Sequence, residues 1–185
     1  KCRRNSCLFL AIVIYLVYMK RETYRKLYAR QAAFYKAHPR AMKALIFANF
    51  ALTAAVFAAY ALLCAFGLIG GSLADVLRIV GVPLLCLLTV SALRNLINRK
   101  RPYECADIRP LLHKNKSGRS FPSRHVASAF VIGTVLLRYA VWGGIPVLAA
   151  GLILGYIRFA AGLHYPSDLA AGALIGALFG LLAFL

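Results

Sequence analysis

Apolar residues fall along this chain in long unbroken runs, and polar residues gather between them. Runs at 41–66, 73–93, 126–142, 145–162 and 169–185 are near the length of about 20 residues that a helix needs to cross a bilayer. They are rich in Leu and Ala and show no period-two alternation. This argues against a sheet and for helices that satisfy their own backbones in lipid. A sixth run, "CLFLAIVIYLVYM" at 7–19, is shorter and flanked by basic residues. Three readings are open to it: a short span, an interfacial segment or a signal-like segment. The span is favoured because no small-residue cleavage pattern follows. The expected fold class is all-α: a polytopic transmembrane helical bundle of about six membrane helices, forming one domain over residues 1–185.

Composition sharpens this picture. The chain is 62% hydrophobic, carries a formal charge of +18 and has five acidic residues, which excludes an ordinary soluble globule. Cys2, Cys7, Cys64, Cys86 and Cys105 are scattered without metal-like spacing and read as ordinary small residues. Polar residues collect in two places. The first, "KRETYRKLYARQAAFYKAHPR" at 20–40, interleaves Tyr, Leu27, Ala33 and Phe34 with Lys and Arg at helical spacing. It predicts an amphipathic helix lying in the interface on anionic lipid. A nucleic-acid arm has similar composition, but a position between membrane segments argues against one. His38, before Pro39, reads as a solvated helix end.

The second collection is the loop from Asn95 to Arg124 with its borders. Arg94 and Arg101 are seven residues apart, which on a continuous helix places both on one face about 10 Å apart. Two guanidiniums so placed suit a phosphate; snorkelling arginines are the alternative. "SFPSRHVASAF" then enters an apolar run through its most polar residues. Pro122 and Ser123 end the loop and cap a helix. Its first free N–H groups, from Arg124 and His125 onward, form a natural anion seat. The Ser123 hydroxyl adds a donor, and His125 exchanges a proton near neutral pH.

A third cluster stands at the next boundary, "RFAAGLHYPSD". Arg158 ends a span, Gly162 loosens the turn, and Pro166 with Ser167 opens the last helix. His164 and Asp168 are four apart, so the carboxylate can hold one ring nitrogen and leave the other as a directed base or nucleophile. The two polar boundaries are separated by two crossings and therefore face the same side of the membrane. Ionisable groups at membrane depth are costly and mark function.

With these residues in view, the chain resembles the type 2 phosphatidic acid phosphatase and vanadium haloperoxidase superfamily, in its bacterial membrane branch. The resemblance runs from about Leu73 to the end and includes three motifs in order. K-x6-R-P appears as "RNLINRKRP", P-S-G-H as "PSRH", and S-R-x5-H-x3-D as "IRFAAGLHYPSD". It implies a catalytic core at 73–185 preceded by an N-terminal segment at 1–40. It further implies a lipid phosphatase in which His164 attacks phosphorus, Asp168 orients it and His125 protonates the leaving group. Arg94, Arg101, Ser123, Arg158 and the N–H of Arg124 would hold the phosphoryl oxygens. No metal and no cofactor are implied, since the arginines supply the charge; the partners are a phospholipid or polyprenyl phosphate substrate and the bilayer.

Three positions depart from the family pattern. Arg94 replaces Lys, Arg124 replaces Gly and Ile157 replaces Ser. Arg124 either crowds the seat or reaches a second phosphate, which suits a diphosphate substrate. Phosphatidic acid, phosphatidylglycerophosphate and a polyprenyl diphosphate all fit the motifs, with a slight tilt to the last. A non-catalytic lipid-binding or scaffold protein is the main rival; a haloperoxidase or a transporter fits less well. Gly172, Gly176 and Gly180 recur every four residues and permit close packing behind the site, as scaffold or as a homodimer contact. His113, Lys114, Lys116 and Arg119 either steer anionic head groups or are merely solvated, and Tyr103, Glu104 and Asp107 take no role. Six spans with the N-terminus inside face the site outward, as the resemblance implies. That arrangement also puts 20–40 outside, against the positive-inside tendency.

Overall fold

The computed structural model describes residues 21–105, 108–112 and 117–185. The run at 7–19, together with Lys20, Asp107, His113, Lys114 and Lys116, lies outside the described residues. Every regular element among them is helical, as expected from the hydropathy pattern.

Helix α1, Arg21–Ala37, buries Tyr24, Tyr28 and Ala32, four residues apart and hence on one face. Arg25, Lys26 and Arg30 are exposed on the other side. It stops at His38 because the residue before a proline is pushed out of the helical region. His38 is exposed, and its Nδ1 lies 2.9 Å from the Phe34 carbonyl. Pro39 then opens α2, Pro39–Gly70, whose 32 residues span about 48 Å.

The chain reverses at Gly71 into α3, Leu73–Val76, capped by Ser72 and Asp75 reciprocally. A π-helical turn, Leu77–Gly81, leads into α4, Val82–Ile97. Pro83 lacks an N–H and its ring crowds the carbonyl four residues back, so the wider turn relieves the clash. A single turn, α5 at Pro102–Cys105, interrupts the following loop. Next come α6, Arg124–Tyr139, and α7, Val141–Ala160, joined through Ala140. The last is α8, Pro166–Leu181, which ends in a 3₁₀ turn, Leu182–Phe184.

Among the described residues, four segments are long and apolar enough to cross a membrane: Pro39–Gly70, Leu73–Cys105, Val141–Ala160 and Pro166–Phe184. Helix α6 is shorter, 16 residues, and is the central element, burying Val126, Ala127, Ala129, Val131, Ile132 and Val135. Around it the outer faces of the bundle expose Phe47, Phe50, Leu62, Leu96, Leu152 and Leu178, a surface suited to lipid rather than water.

The glycine stripe of α8 is occupied within the chain. A Cβ on Gly172 would lie 2.7 Å from the Ser123 carbonyl oxygen, and Cβ atoms on Gly176 and Gly180 would strike the Ala127 carbonyl and Thr134. Helix α8 therefore lies against α6, and this close approach draws the start of α8 onto the start of α6, where the Ser123 N–H donates to the Asp168 carbonyl at 2.9 Å. The end of α4, the starts of α6 and α8, and the end of α7 share one end of the bundle. At the opposite end Tyr139 donates to Asp75 at 3.0 Å and packs edge-on to Phe66.

Candidate active site

The three motifs, at Arg94–Pro102, Pro122–His125 and Ile157–Asp168, meet at the first of these ends. Arg94, in the last turn of α4, is buried and donates to the Pro122 carbonyl at 2.7 Å and to the Ser120 carbonyl at 3.4 Å. It thus ties the first motif to the second. Arg101 does not share its helix face. The helix ends at Ile97 because Asn98 takes a left-handed conformation, φ 40°, and closes the last turn with an N–H to the Arg94 carbonyl. Asn tolerates that conformation better than other residues with a Cβ. The chain then folds back and brings Arg101 to the same cavity by a loop rather than by helical register, which corrects the expectation of one continuous helix.

The loop is braced by Glu104, a residue to which the sequence assigned no role. Its carboxylate accepts the Arg101 N–H at 2.6 Å and the Gly118 N–H at 2.9 Å, while Arg101 Nε donates to the Gly118 carbonyl at 3.0 Å. Ser123 stands at the N-cap position of α6, yet its hydroxyl makes no cap bond. Arg158 is buried in the last turn of α7. Arg101 Nη1, Ser123 Oγ and Arg158 Nε are buried without a hydrogen-bond partner. Each such group costs about 1–3 kcal/mol when left dry and unpaired. One comes from each of the three motifs; Arg101 lines the cavity described next, whereas Ser123 and Arg158 are not among its lining residues.

Beside them is a cavity of about 820 Å³, lined by Arg94, Lys100, Arg101, Arg124, His125 and His164, with Arg119 at its wall. His125 and His164 therefore face one space. Among the described residues Glu104 is the one acidic residue lining it, and the surrounding basic side chains favour an anion. Arg124 is exposed and, with His125, also lines a smaller apolar groove of about 240 Å³ beside Val56, Phe57, Leu87 and Leu154.

His164 is buried in the turn between α7 and α8, which Gly162 makes with φ 77°. Its Nδ1 lies 3.5 Å from Asp168 Oδ2, so the pairing expected from their spacing is present but long. The fully buried Asp168 carboxylate is held more closely by groups that sequence reasoning missed. Ser120 Oγ donates to Oδ2 at 2.5 Å, the Tyr165 N–H donates to Oδ2 at 3.0 Å, and Arg99 Nη1 donates to Oδ1 at 2.8 Å. Arg99 stands inside a run of three basic residues and Ser120 inside a polar loop, so no local pattern singled them out. Burial, with the Arg101 and Arg94 charges adding to it, holds the His164 imidazole below its ordinary range despite the opposing pull of Asp168. It is therefore neutral near pH 7, as a nucleophile requires.

Helix α1 closes the back of this turn. The Tyr24 hydroxyl lies 3.5 Å from the carbonyls of Phe159 and His164, its ring contacts Tyr165 and Phe159, and Tyr28 donates to the Arg109 carbonyl at 2.5 Å. The aromatic face expected to rest on lipid is thus partly spent on the protein, because a tyrosine buried against carbonyls satisfies ring and hydroxyl together.

The model of the PAP2 superfamily matches residues 75–185. A lipid A 4'-phosphatase of Bacteroides thetaiotaomicron is 36% identical over 101 residues, which are 51% of this chain and 45% of that protein. The bacitracin transport permease protein BcrC of Bacillus licheniformis is 37% identical over 73 residues, 40% of this chain and 36% of that one. The chain thus matches less than half the length of either curated relative. Among solved structures, Aquifex aeolicus LpxE is similar with a TM-score of 0.60 and 26% identity, covering 74% of this chain and 84% of that one. A transmembrane PAP2 type phosphatidylglycerolphosphate phosphatase from Bacillus subtilis has a TM-score of 0.57 over 89% of this chain and 94% of its own; at 21% identity it is a likeness of fold.

Proposed function

Since the chain belongs to the PAP2 superfamily, we propose that it is an integral membrane lipid phosphatase, hydrolysing a phosphomonoester or diphosphate of a membrane lipid through a phosphohistidine. The observation that carries this reading is the set of three buried, unpartnered donors, Arg101 Nη1, Ser123 Oγ and Arg158 Nε, close to a cationic cavity that holds two histidines.

The chemistry follows in two steps. The lone pair of His164 Nε2 attacks phosphorus, the bond to the leaving oxygen breaks, and His125 gives that oxygen a proton. Water then attacks the phosphohistidine while His125 takes the proton back, releasing inorganic phosphate and restoring His164. Asp168 orients the imidazole. Arg94, Arg101, Ser123, Arg158 and the N–H of Arg124 carry the charge on the equatorial oxygens. Residues 73–185 form the catalytic core of one domain, and residues 1–40 its N-terminal accessory segment, with six spans if 7–19 crosses the membrane.

The substrate is lipid because the polar cavity and the apolar groove share Arg124 and His125 as a common wall. A head group in one and a tail in the other satisfies both. Lys100, Arg119 and Arg124 stand in the cavity wall beyond Arg94 and Arg101, enough positive charge for a second phosphoryl group, which favours a polyprenyl diphosphate over phosphatidic acid. The site faces the extracytoplasmic side.

The test is phosphate release by purified protein in detergent, from phosphatidic acid and from a polyprenyl diphosphate, beside His164→Ala and Arg124→Gly. Release is expected to vanish in the first variant and to fall selectively for the diphosphate in the second. Equal losses on both lipids in Arg124→Gly would remove the diphosphate preference. Intact protein that binds both lipids and releases nothing would make the chain a lipid-binding scaffold.

A further inference from the structure

We propose that Arg99 is a positioning residue for the nucleophile: held between the Tyr165 ring and the Asp168 carboxylate, it keeps Asp168 an acceptor toward His164 Nδ1, leaving Nε2 free to attack. The assignment of attack to His164 rests on the phosphatase reading above.

The geometry is specific. Arg99 Nη1 is 2.8 Å from Asp168 Oδ1 and 2.7 Å from Ser167 Oγ, and its Cζ lies 4.4 Å over the centre of the Tyr165 ring. A planar guanidinium can stack and donate at once, whereas an ammonium cannot. Asp168 is 0% exposed and Arg99 38% exposed, so the cation reaches inward from the edge to a carboxylate that has no access to water.

Arg99 also stands apart from the cavity. Lys100 and Arg101, its neighbours in sequence, line the cavity, and Arg99 is not among the lining residues. Its charge is therefore directed at the orienting carboxylate and not at a phosphoryl group. The groups that face the His164–Asp168 pair come from every neighbouring element. They are Arg94 from α4, Arg99, Arg101 and Ser120 from the loop, and Tyr165 and Ser167 at the start of α8. Tyr24 from α1 has its hydroxyl 3.5 Å from the His164 carbonyl, and His125 from α6 shares the cavity.

The consequence is a choice of tautomer. An ionised Asp168 accepts a hydrogen bond from Nδ1–H, so the Nε2 lone pair is available. With Arg99 lost, the buried carboxylate keeps the Tyr165 N–H and the field of Arg94 but loses its direct ion pair at 2.8 Å; its affinity for a proton rises, and a protonated Asp168 becomes a donor to Nδ1. The imidazole proton then sits on Nε2, where it blocks attack. Ser120 Oγ, which lies 3.4 Å from His164 Nδ1 as well as on Asp168, cannot prevent this, because a hydroxyl donates or accepts equally well.

Two readouts test the idea on the full-length protein in detergent: steady-state kinetics on the preferred lipid, and ¹⁵N-histidine NMR. The four histidines of the chain make the His164 signals assignable by loss in His164→Ala. Arg99→Gln is expected to lower kcat on the order of 10²-fold with KM little changed, and to move His164 from the Nδ1–H to the Nε2–H tautomer. Arg99→Lys keeps the charge without the stack and is expected to restore part of kcat and the native tautomer. A raised KM with unchanged kcat in either variant would make Arg99 a substrate contact and overturn the proposal. So would an unchanged tautomer in Arg99→Gln. If Arg99→Gln does not fold, a rise in KM or an Nε2–H tautomer in Arg99→Lys overturns it equally. Wild-type protein that releases no phosphate would remove the phosphatase reading, while the tautomer comparison would still decide what Arg99 does to His164.

Discussion

At the scale of single residues, the site is governed by what burial does to charge. His164 sits in a turn almost closed to water, among arginines, and both conditions favour the neutral ring. The sign follows directly: burial disfavours protonation, so the proton that would quench His164 as the proposed nucleophile binds only below the ordinary histidine value of 6.5. The acid limb of kcat is accordingly expected below pH 6.5, read from a pH–rate profile at saturating lipid; a limb centred above that value would show that His164 is not held neutral by its surroundings. At this scale the sequence was informative wherever a residue marked a boundary. Ser123 after Pro122, Arg158 before Gly162 and His164 before Pro166 all stand at helix ends in the structure. It was silent on Arg99, Glu104 and Ser120, whose types and settings match those of any solvated loop.

At the scale of elements, the α6–α8 contact positions the chemistry. Both helices begin at the site, and the Ser123 N–H to Asp168 carbonyl bond survives only while the two backbones stay close. Gly172 is the residue that allows this, and an added methyl would meet the Ser123 carbonyl oxygen at 2.7 Å. Backbone cannot rotate aside as a side chain can. Gly172→Ala is therefore expected to cost about 1–3 kcal/mol and to lower activity, measured as a reduced melting temperature and a reduced kcat. Gly70→Ala, where a Cβ meets nothing within 4 Å, is the matched control and is expected to change neither. The recurrence of small residues every fourth position in α8 was visible in the chain; that α6 rather than a second copy fills the groove was not. Helix α1 gives the parallel lesson. Its periodicity predicted one aromatic and one basic face, and both exist, but the aromatic face packs on Phe159 and Tyr165.

At the scale of the whole molecule, polarity is gathered at one end. The candidate site and the basic helix α1 share that end, joined by Tyr24 and Tyr28, and the Gly70–Ser72 reversal lies at the other with Asp75 and Tyr139. The positive charge of α1 and that of the site therefore face the same compartment. An impermeant thiol reagent applied to intact cells carrying a cysteine in the Gly70–Ser72 turn settles which one. With the site outward, the turn is expected to be protected until the cells are opened. Labelling of intact cells would place the site in the cytoplasm, where the positive-inside tendency would put it.

The chain by itself determined the properties that are local and additive. Long apolar runs fix helices that cross lipid, because each must satisfy its own backbone there. The number of crossings between polar boundaries puts those boundaries on one side, and the residue types at the boundaries announce phosphate chemistry. Tertiary structure decided the partnerships. Asp168 meets Ser120 across 48 residues and Arg99 across 69, and Arg94 and Arg101 converge through a left-handed Asn98 rather than a shared helix face. Such contacts depend on how a loop closes and how two helices seat against each other. No window of neighbouring residues contains that information, because a loop can bring many different donors to the same buried carboxylate and packing selects which one arrives.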